Sequence, residues 1–427
     1  MSRSASRIEK VIKDLQDGYM NSSYPKVLEE GVEDITEQKL LSVIIPARNE
    51  FPSCPFTVHS ILNAWESDGY DWKDLEIIVV DNCSNEQSID PKYFTHPADH
   101  GTLTYLYDRR IYWAGILRTH YYPIAGNHAA RNEGAKIARG KYVFFSDAHM
   151  SYGQGFFKKM MQTTEESGGL VHGAISWMGG YPVKAGDSGV GLQYTLKLGE
   201  EIKGTWTPYL VGNGKDWFYI AAQGHCSVMC NRRQFLDFGG YPKIHRSYGG
   251  GEFYTDLKWW MYGSTVAVHP EAIGYHLKSY RGYSWTHDDY IHNVLNIGYA
   301  LGMDEWVERA YLNWLRNGRR EVLEKMWTEA QKEMQSDREE IAKRRVKTFN
   351  EVLVERPWDI KNMEKHGTKN SSVLIFHHTW ISLLSNAPKF VQDMYNNSQL
   401  QKDLDKFIRE KLWNCVYKPS LDKKDAQ

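Results

Sequence analysis

Three short apolar runs constrain this chain more than any other feature: LLSVIIP (40–46), LEIIVVD (75–81) and KYVFFSD (141–147). Rich in β-branched and aromatic residues, each reads as a strand buried on both faces. Helical patterns lie between them. Ser53 and Pro55 mark a helix start, with Val58, Ile61, Leu62 and Trp65 as its buried stripe, and residues 128–139 carry a second helical pattern. TYLYDR (104–109) reads as a further strand. Strand and helix in alternation predict a parallel sheet with helices on both faces. In such sheets ligands bind at the carboxyl ends of the strands. Two of the runs end in Asp, at Asp81 and Asp147, so both carboxylates are expected in one cleft.

Beyond residue 150 the pattern is less regular. A helix is expected over 153–167 and a strand over 170–178, then a Gly- and aromatic-rich insertion (179–217) and a mixed-sheet segment (218–230). A helix ended by Gly239-Gly240, a helix over 251–262 ended by Gly263, and a strand over 265–270 follow. From residue 286 the chain reads as helical, with one long run over 321–353 whose interleaved charges suit a solvated face, and Pro357 and Gly367 punctuating a linker. The expected organisation is a helical extension (1–39), a catalytic α/β domain (40–285) and a helical module (286–427).

Composition excludes several classes. The 427 residues carry 52 Lys+Arg against 53 Asp+Glu, a net charge of -1, so no global field draws the chain to nucleic acid or membrane. Five cysteines form no framework, which fits a reduced, intracellular protein; Cys226 and Cys230 lack the second pair a zinc site needs. The N-terminus has no apolar signal core, and no apolar run approaches the roughly 18–20 residues of a membrane span. A soluble, cytoplasmic protein is expected.

The chemistry concentrates at Asp147-Ala148-His149. If the strand stays extended, residues i and i+2 project to one side, and a carboxylate with an imidazole suits a divalent cation such as Mn2+ or Mg2+. The plain alternative is a turn Asp beside an unrelated His. A third ligand from a remote segment strengthens the metal reading, and His276, closing Ala272-Ile273-Gly274-Tyr275-His276, supplies it. Asp81, before Asn82, is placed to bond a ribose or base edge. Arg131, Lys278 and Arg281 offer positive charge for a departing diphosphate, or else form surface ion pairs. Gly249-Gly250-Gly251-Glu252 opens a helix that carries Asp256. Its carboxylates could meet an acceptor hydroxyl as general base, or simply cap the helix.

These residues resemble a known family. SVIIPARNEFPSCPFTVHSIL followed by LEIIVVDNCSNE is similar to the opening of family-2-like GT-A glycosyltransferases, and more specifically of the polypeptide N-acetylgalactosaminyltransferases. Asn49-Glu50 and the Thr57–Ser60 run match that opening. ARNEGAKIARGKYVFFSDAH is similar to the family's Arg-bearing helix and Asp-x-His. GGGEFYTDLKWWMYGSTVAVHPEAIGYH is similar to its Gly-Gly-Glu helix and its third metal-ligating His. The resemblance spans roughly residues 40–285. It implies an α/β GT-A nucleotide-sugar-binding fold with a mostly parallel sheet, a UDP-sugar donor, and Mn2+ held by Asp147, His149 and His276.

On that basis Pro46, Arg48, Asn49, Glu50, Asp81, Asn82, Arg131, Asp147, Ala148, Lys278 and Arg281 are assigned to the donor. Trp177, Gly251, Glu252 and Trp285 are assigned to the acceptor, and Glu252, Asp256 and Arg131 to catalysis. Retention of anomeric configuration is expected. There are departures: Ser279 stands where the family has Arg, Tyr262-Gly263 replaces a Gly-Gly turn, and a helical module stands where a lectin domain follows in the family. They point to a microbial or viral enzyme with a different acceptor. The acceptor is expected to be a protein, a glycan or a small hydroxylated molecule. The alternative is a hydroxymethyl-pyrimidine in DNA, gripped by Tyr280–Trp285 and Arg316, Arg319 and Arg320. From other classes, a nucleotidyltransferase would need a Gly-rich basic loop where Pro46–Glu50 stands, and a non-catalytic sugar-binding module would not need the Asp/His/His set. Oligomeric state is not legible.

Overall fold

The computed structural model describes residues 38–48, 50, 53–82, 116–122, 126–178, 189–191, 193–198, 202–207, 217–246, 249, 251–277, 286–305, 307–308, 320–355 and 357. The expected N-terminal extension up to residue 37, the strand at 104–109, most of the 179–217 insertion, the loop at 278–285 and the linker at Gly367 lie outside them.

The strands are β1 (Lys39–Ala47), β2 (Leu75–Asn82), β3 (Leu117–Tyr122), β4 (Gly140–Ser146), β5 (Met150–Tyr152), β6 (Leu170–Met178), β7 (Gly189–Gly191), β8 (Gln193–Leu198), β9 (Ile202–Thr207), β10 (Phe218–Tyr219), β11 (Ser227–Asn231) and β12 (Val266–Leu277). The helices are α1 (Ser53–Ser67), α2 (Asn127–Ile137), α3 (Phe156–Ser167), α4 (Arg232–Asp237), α5 (Glu252–Met261), α6 (His287–Leu301), α7 (Arg320–Arg344) and α8 (Phe349–Glu355). The main sheet runs β10-β12-β6-β11-β4-β1-β2-β3, with β5 added on β12 and β7 on β6; β8 and β9 form a separate pair. The long ladders, β1 with β2 and β4, β2 with β3, and β6 with β12, are parallel. The molecule is α/β with a mostly parallel sheet, as expected.

Strand geometry explains why the apolar runs lack polar alternation. Successive side chains face opposite sides of a sheet. Leu41, Val43, Ile45, Ile77, Val79 and Phe144 pack with Val58, Ile61, Leu62 and Trp65 of α1 and Phe156, Phe157 and Met160 of α3. Their neighbours Ile44, Ile78, Val80, Val143 and Phe145 pack on the other side with Ala130 and Ala135 of α2, Phe235 of α4, and α5. A Cβ at Gly134 would lie 2.4 Å from Cγ2 of Ile44, so only glycine lets α2 sit this close to the sheet.

A carboxylate is held in this core among the apolar side chains. Glu76, fully buried on β2, accepts from Ser42 Oγ (2.6 Å), from Arg139 N and Nε (2.9 Å each), and from Arg118. Burial pushes its carboxyl up; the bonds from Ser42, Arg139 and Arg118 outweigh that and hold it below the ordinary glutamate value.

Helices α6, α7 and α8 share their core with α5. Leu323, Met326, Ala330, Met334 and Ile341 form the buried stripe of α7, clustered with Ile291, Val294 and Leu295 of α6, Phe349 and Val352 of α8, and Phe253, Tyr254, Leu257 and Trp260 of α5. Two expectations are corrected. The single run over 321–353 is two helices, because Thr348 and Glu351 form a reciprocal cap: Glu351 N donates to Thr348 Oγ1 (3.2 Å) and Thr348 N to Glu351 Oε2 (2.7 Å). The strand at 265–270 and the segment ending at His276 are one strand, β12, with a register shift between His269 and Ile273. Among the described residues, no helix is long and apolar enough to cross a membrane.

Candidate active site and metal centre

From β1 the chain proceeds to β2 and β3 on one side, then returns to β4 on the other. The strand order reverses between β1 and β4, which places the ligand crevice of an open α/β sheet at their carboxyl ends. There stand Pro46 and Ala47 at the end of β1, Arg48 and Glu50 just after it, Asp81 level with Ala47, and Asp147 after β4.

Asp147, His149 and His276 converge here, their ligand atoms all within 4.8 Å of one another. The route differs from the expected one: Ala148 and His149 form a turn between β4 and β5 instead of an extended strand end. The turn feeds β5 antiparallel onto β12, with Met150 opposite His276. That register brings the His149 and His276 rings to 4.6 Å at 77°. The other edge of β5 is held by α1. Thr57 Oγ1 donates to Met150 O (2.9 Å) and accepts from Met150 N (2.8 Å), while Ser60 Oγ accepts from Tyr152 N (2.6 Å). Hydroxyls three residues apart on one helix face take the place of a neighbouring strand.

Burial alone would raise the Asp147 carboxyl. The His276 hydrogen bond and the charges of Arg131 and His149 outweigh it and hold the group well below the usual carboxylate range. Arg131 Nη2 donates to Asp147 Oδ1 (2.6 Å) and His276 Nε2 lies 3.5 Å from Oδ2. His149 Nδ1 lies 3.2 Å from Glu50 Oε2. A proton on Nδ1, shared with that carboxylate, leaves the ring's lone pair on Nε2, the arrangement in which metal-binding imidazoles are ordinarily held. One carboxylate and two imidazoles, one of them carboxylate-buttressed, therefore fit a divalent cation of the Mn2+ kind.

A second triad, His172, His225 and Asp256, is equally tight, but all three side chains are 0% exposed, against 27%, 13% and 10% for Asp147, His149 and His276. Only the first triad opens to solvent. Asp256, expected to serve catalysis at the cleft, is thus inside the protein. Its Oδ1 accepts from His172 Nε2 (3.0 Å) and His225 Nε2 (2.9 Å), and its Oδ2 from Gln223 N (2.8 Å).

Of the other expected residues, Arg131 is 1% exposed and its Nη2 also donates to His225 O (2.8 Å), so it acts on Asp147 from within the protein and does not reach outward. Asp81 and Asn82 end β2, and Asn82 Oδ1 accepts from Gly126 N (2.7 Å) at the start of α2. The Ala148 methyl is buried in the core. Glu252 begins α5 and Trp177 lies level with His276 on β6; their side chains are outside what the structure describes. Gly251 abuts two imidazoles: a Cβ there would lie 1.8 Å from His128 Nε2 and 2.8 Å from His245 Nε2. The loop entering α5 is carried by α6, where Asn293 Nδ2 donates to Arg246 O (2.7 Å) and Gly249 O (3.0 Å) and Oδ1 accepts from Arg246 N (2.7 Å). Asn49, Lys278, Arg281 and Trp285 lie outside the described residues, as do the groups proposed to grip DNA at 280–285, 316 and 319.

Residues 42–94 and 118–180 match the family model of glycosyl transferase family 2. The fold is similar to that of GalNAc-T7, solved with UDP, GalNAc and Mn2+, at a TM-score of 0.53 and 16% identity over 66% of this chain and 54% of that one. The chain carries the family-2-like GT-A glycosyltransferase fold. A fainter likeness is to S. aureus TarS 1-349 in complex with UDP-GlcNAc, at a TM-score of 0.43 and 13% identity over 84% of this chain and 91% of that one. This GT-A chain spans about half the length of GalNAc-T7. The family-matched stretches hold β1, β2, β4 and β5, and thus Asp81, Asp147 and His149, whereas His276 comes from beyond them.

Proposed function

We propose that this chain transfers a sugar from a UDP-sugar to a hydroxyl acceptor, with retention of configuration, using a divalent cation held by Asp147, His149 and His276. The observation that carries the reading is the convergence of these three groups at the switch point of a GT-A sheet, with Glu50 behind His149. The UDP, GalNAc and Mn2+ bound to GalNAc-T7 support the same ligand set.

When bound, the cation neutralises negative charge developing on a departing nucleoside diphosphate. The protein's part is preorganisation. Arg131 keeps Asp147 ionised and aimed, Glu50 keeps the His149 lone pair on one nitrogen, and β5 fixes the spacing to His276. Asp81, at the end of β2, is assigned to the nucleotide's sugar or base edge. Retention accords with the state of Asp256: its carboxylate is engaged by two imidazoles and a backbone amide, and it offers no base to an acceptor. Glu252 is assigned to the acceptor side, at the start of α5.

UDP release from a panel of UDP-sugars, measured with Mn2+ and with chelator, tests the proposal. Metal-dependent release from at least one donor is expected, and its loss in Asp147→Ala. Release indifferent to both metal and substitution would refute it, and no release from any UDP-sugar would return the chain to the non-catalytic reading.

A further inference from the structure

The buried triad is joined to the metal centre by the chain segment between them. Asp256 sits on α5 with no exposed surface. Burial raises its carboxyl, and the electrostatic and hydrogen-bond interactions with His225 and His172 outweigh that and hold it at about 2. An ionised Asp256 accepts at both oxygens, so His172 and His225 each donate from Nε2. His225 is held neutral by burial, its pKa lowered to about 4, so its Nδ1 accepts from the Tyr241 hydroxyl at 2.7 Å.

What the chain of bonds holds is segment 223–226. Asp256 Oδ2 takes the Gln223 backbone N–H, and Gln223 Nε2 donates to Gly173 O (2.6 Å) on β6. The same segment meets Asp147 at two points. His225 O accepts from Arg131 Nη2 (2.8 Å), which donates on to Asp147 Oδ1, and Cys226 O accepts from Asp147 N (3.1 Å). Both the side chain and the backbone of Asp147 therefore hang from carbonyls whose place Asp256 sets.

We infer that Asp256 and Tyr241 are positioning residues for the metal centre, acting through His225, the 223–226 segment and Arg131 on Asp147, with no contact to substrate. The inference rests on the metal reading above. Loss of groups that orient a metal ligand ordinarily weakens metal binding 10–100-fold.

The test is Mn2+ affinity, read from the free-ion electron paramagnetic resonance signal on the full chain without nucleotide, beside thermal unfolding of each variant. Asp256→Asn keeps the volume but places an amide N–H against N–H donors. It is expected to weaken Mn2+ binding at least 10-fold. Tyr241→Phe removes one hydroxyl from His225 and is expected to weaken binding several-fold while remaining folded. Unchanged Mn2+ affinity in a folded Asp256→Asn overturns the inference. Should that variant not fold, unchanged affinity in Tyr241→Phe overturns it instead. An unaltered chain that binds no Mn2+ overturns the metal reading itself, a result distinct from binding retained in the variants.

Discussion

At the scale of single residues the site is a small set of charges arranged to remain charged. Asp147 is kept ionised against its burial by His276, Arg131 and His149, and Glu50 is placed where it fixes one imidazole tautomer. Glu50 is the more informative target, since its loss leaves all three ligands in place. Glu50→Gln is expected to weaken Mn2+ binding about tenfold, roughly 1.4 kcal/mol, with little change in metal-free UDP binding. Isothermal titration of both ligands checks this; equal loss of both would assign Glu50 to the donor directly. That Asp147, His149 and His276 would converge was legible in the sequence, because a carboxylate and an imidazole closing one apolar run, with a second imidazole closing another, make an unusual chemical set. The groups that orient them were not. His225 meets Arg131 across 94 positions and His172 meets Asp256 across 84, and no local pattern announces bonds of such span. Asp256 itself was visible as a carboxylate on a helix, but its inward face depends on which way α5 rolls against the sheet.

At the scale of elements, the three apolar runs foretold β1, β2 and β4, because strands buried on both faces cannot be polar. β5 carries no such signature: it is three residues long and stabilised on one edge by helix hydroxyls. Thr57 and Ser60 read as a sequence motif, and the structure supplies its physical content. Thr57→Val would leave the buried N–H and C=O of Met150 without their partner, at a cost of about 2 kcal/mol. It would also loosen the register that sets His149 beside His276. Lower stability in denaturant together with weaker Mn2+ binding is expected; lost stability with unchanged metal affinity would confine Thr57 to the fold. The break between α7 and α8 had a local signal, Thr348-x-x-Glu351, which the continuous charge pattern of 321–353 obscured.

For the whole molecule, buried histidines tie stability to pH. Burial, the largest cause in each case, lowers His225 to about 4, and His245 and His269 to about 3. Each must take up a proton on unfolding near or below its ordinary value of about 6.5. A depressed folded value means the stabilisation is fully present above about pH 6.5 and is lost as pH falls toward the folded values, at up to about 1.4 kcal/mol per pH unit for each group. Glu76, depressed by its own partners, adds a second loss below about pH 4.3. Urea midpoints at pH 7.5 and pH 5 check this: a clearly lower midpoint at pH 5 is expected, and equal midpoints would contradict it.

All of these scales meet in one claim, that side chains from β4's end, the following turn and β12 hold a single cation. Anomalous scattering from crystals soaked in Mn2+ tests it most directly. The expected result is one strong peak within about 2.0–2.3 Å of donor atoms from Asp147, His149 and His276. A peak elsewhere, or none at this triad with the ion in excess, would contradict the account.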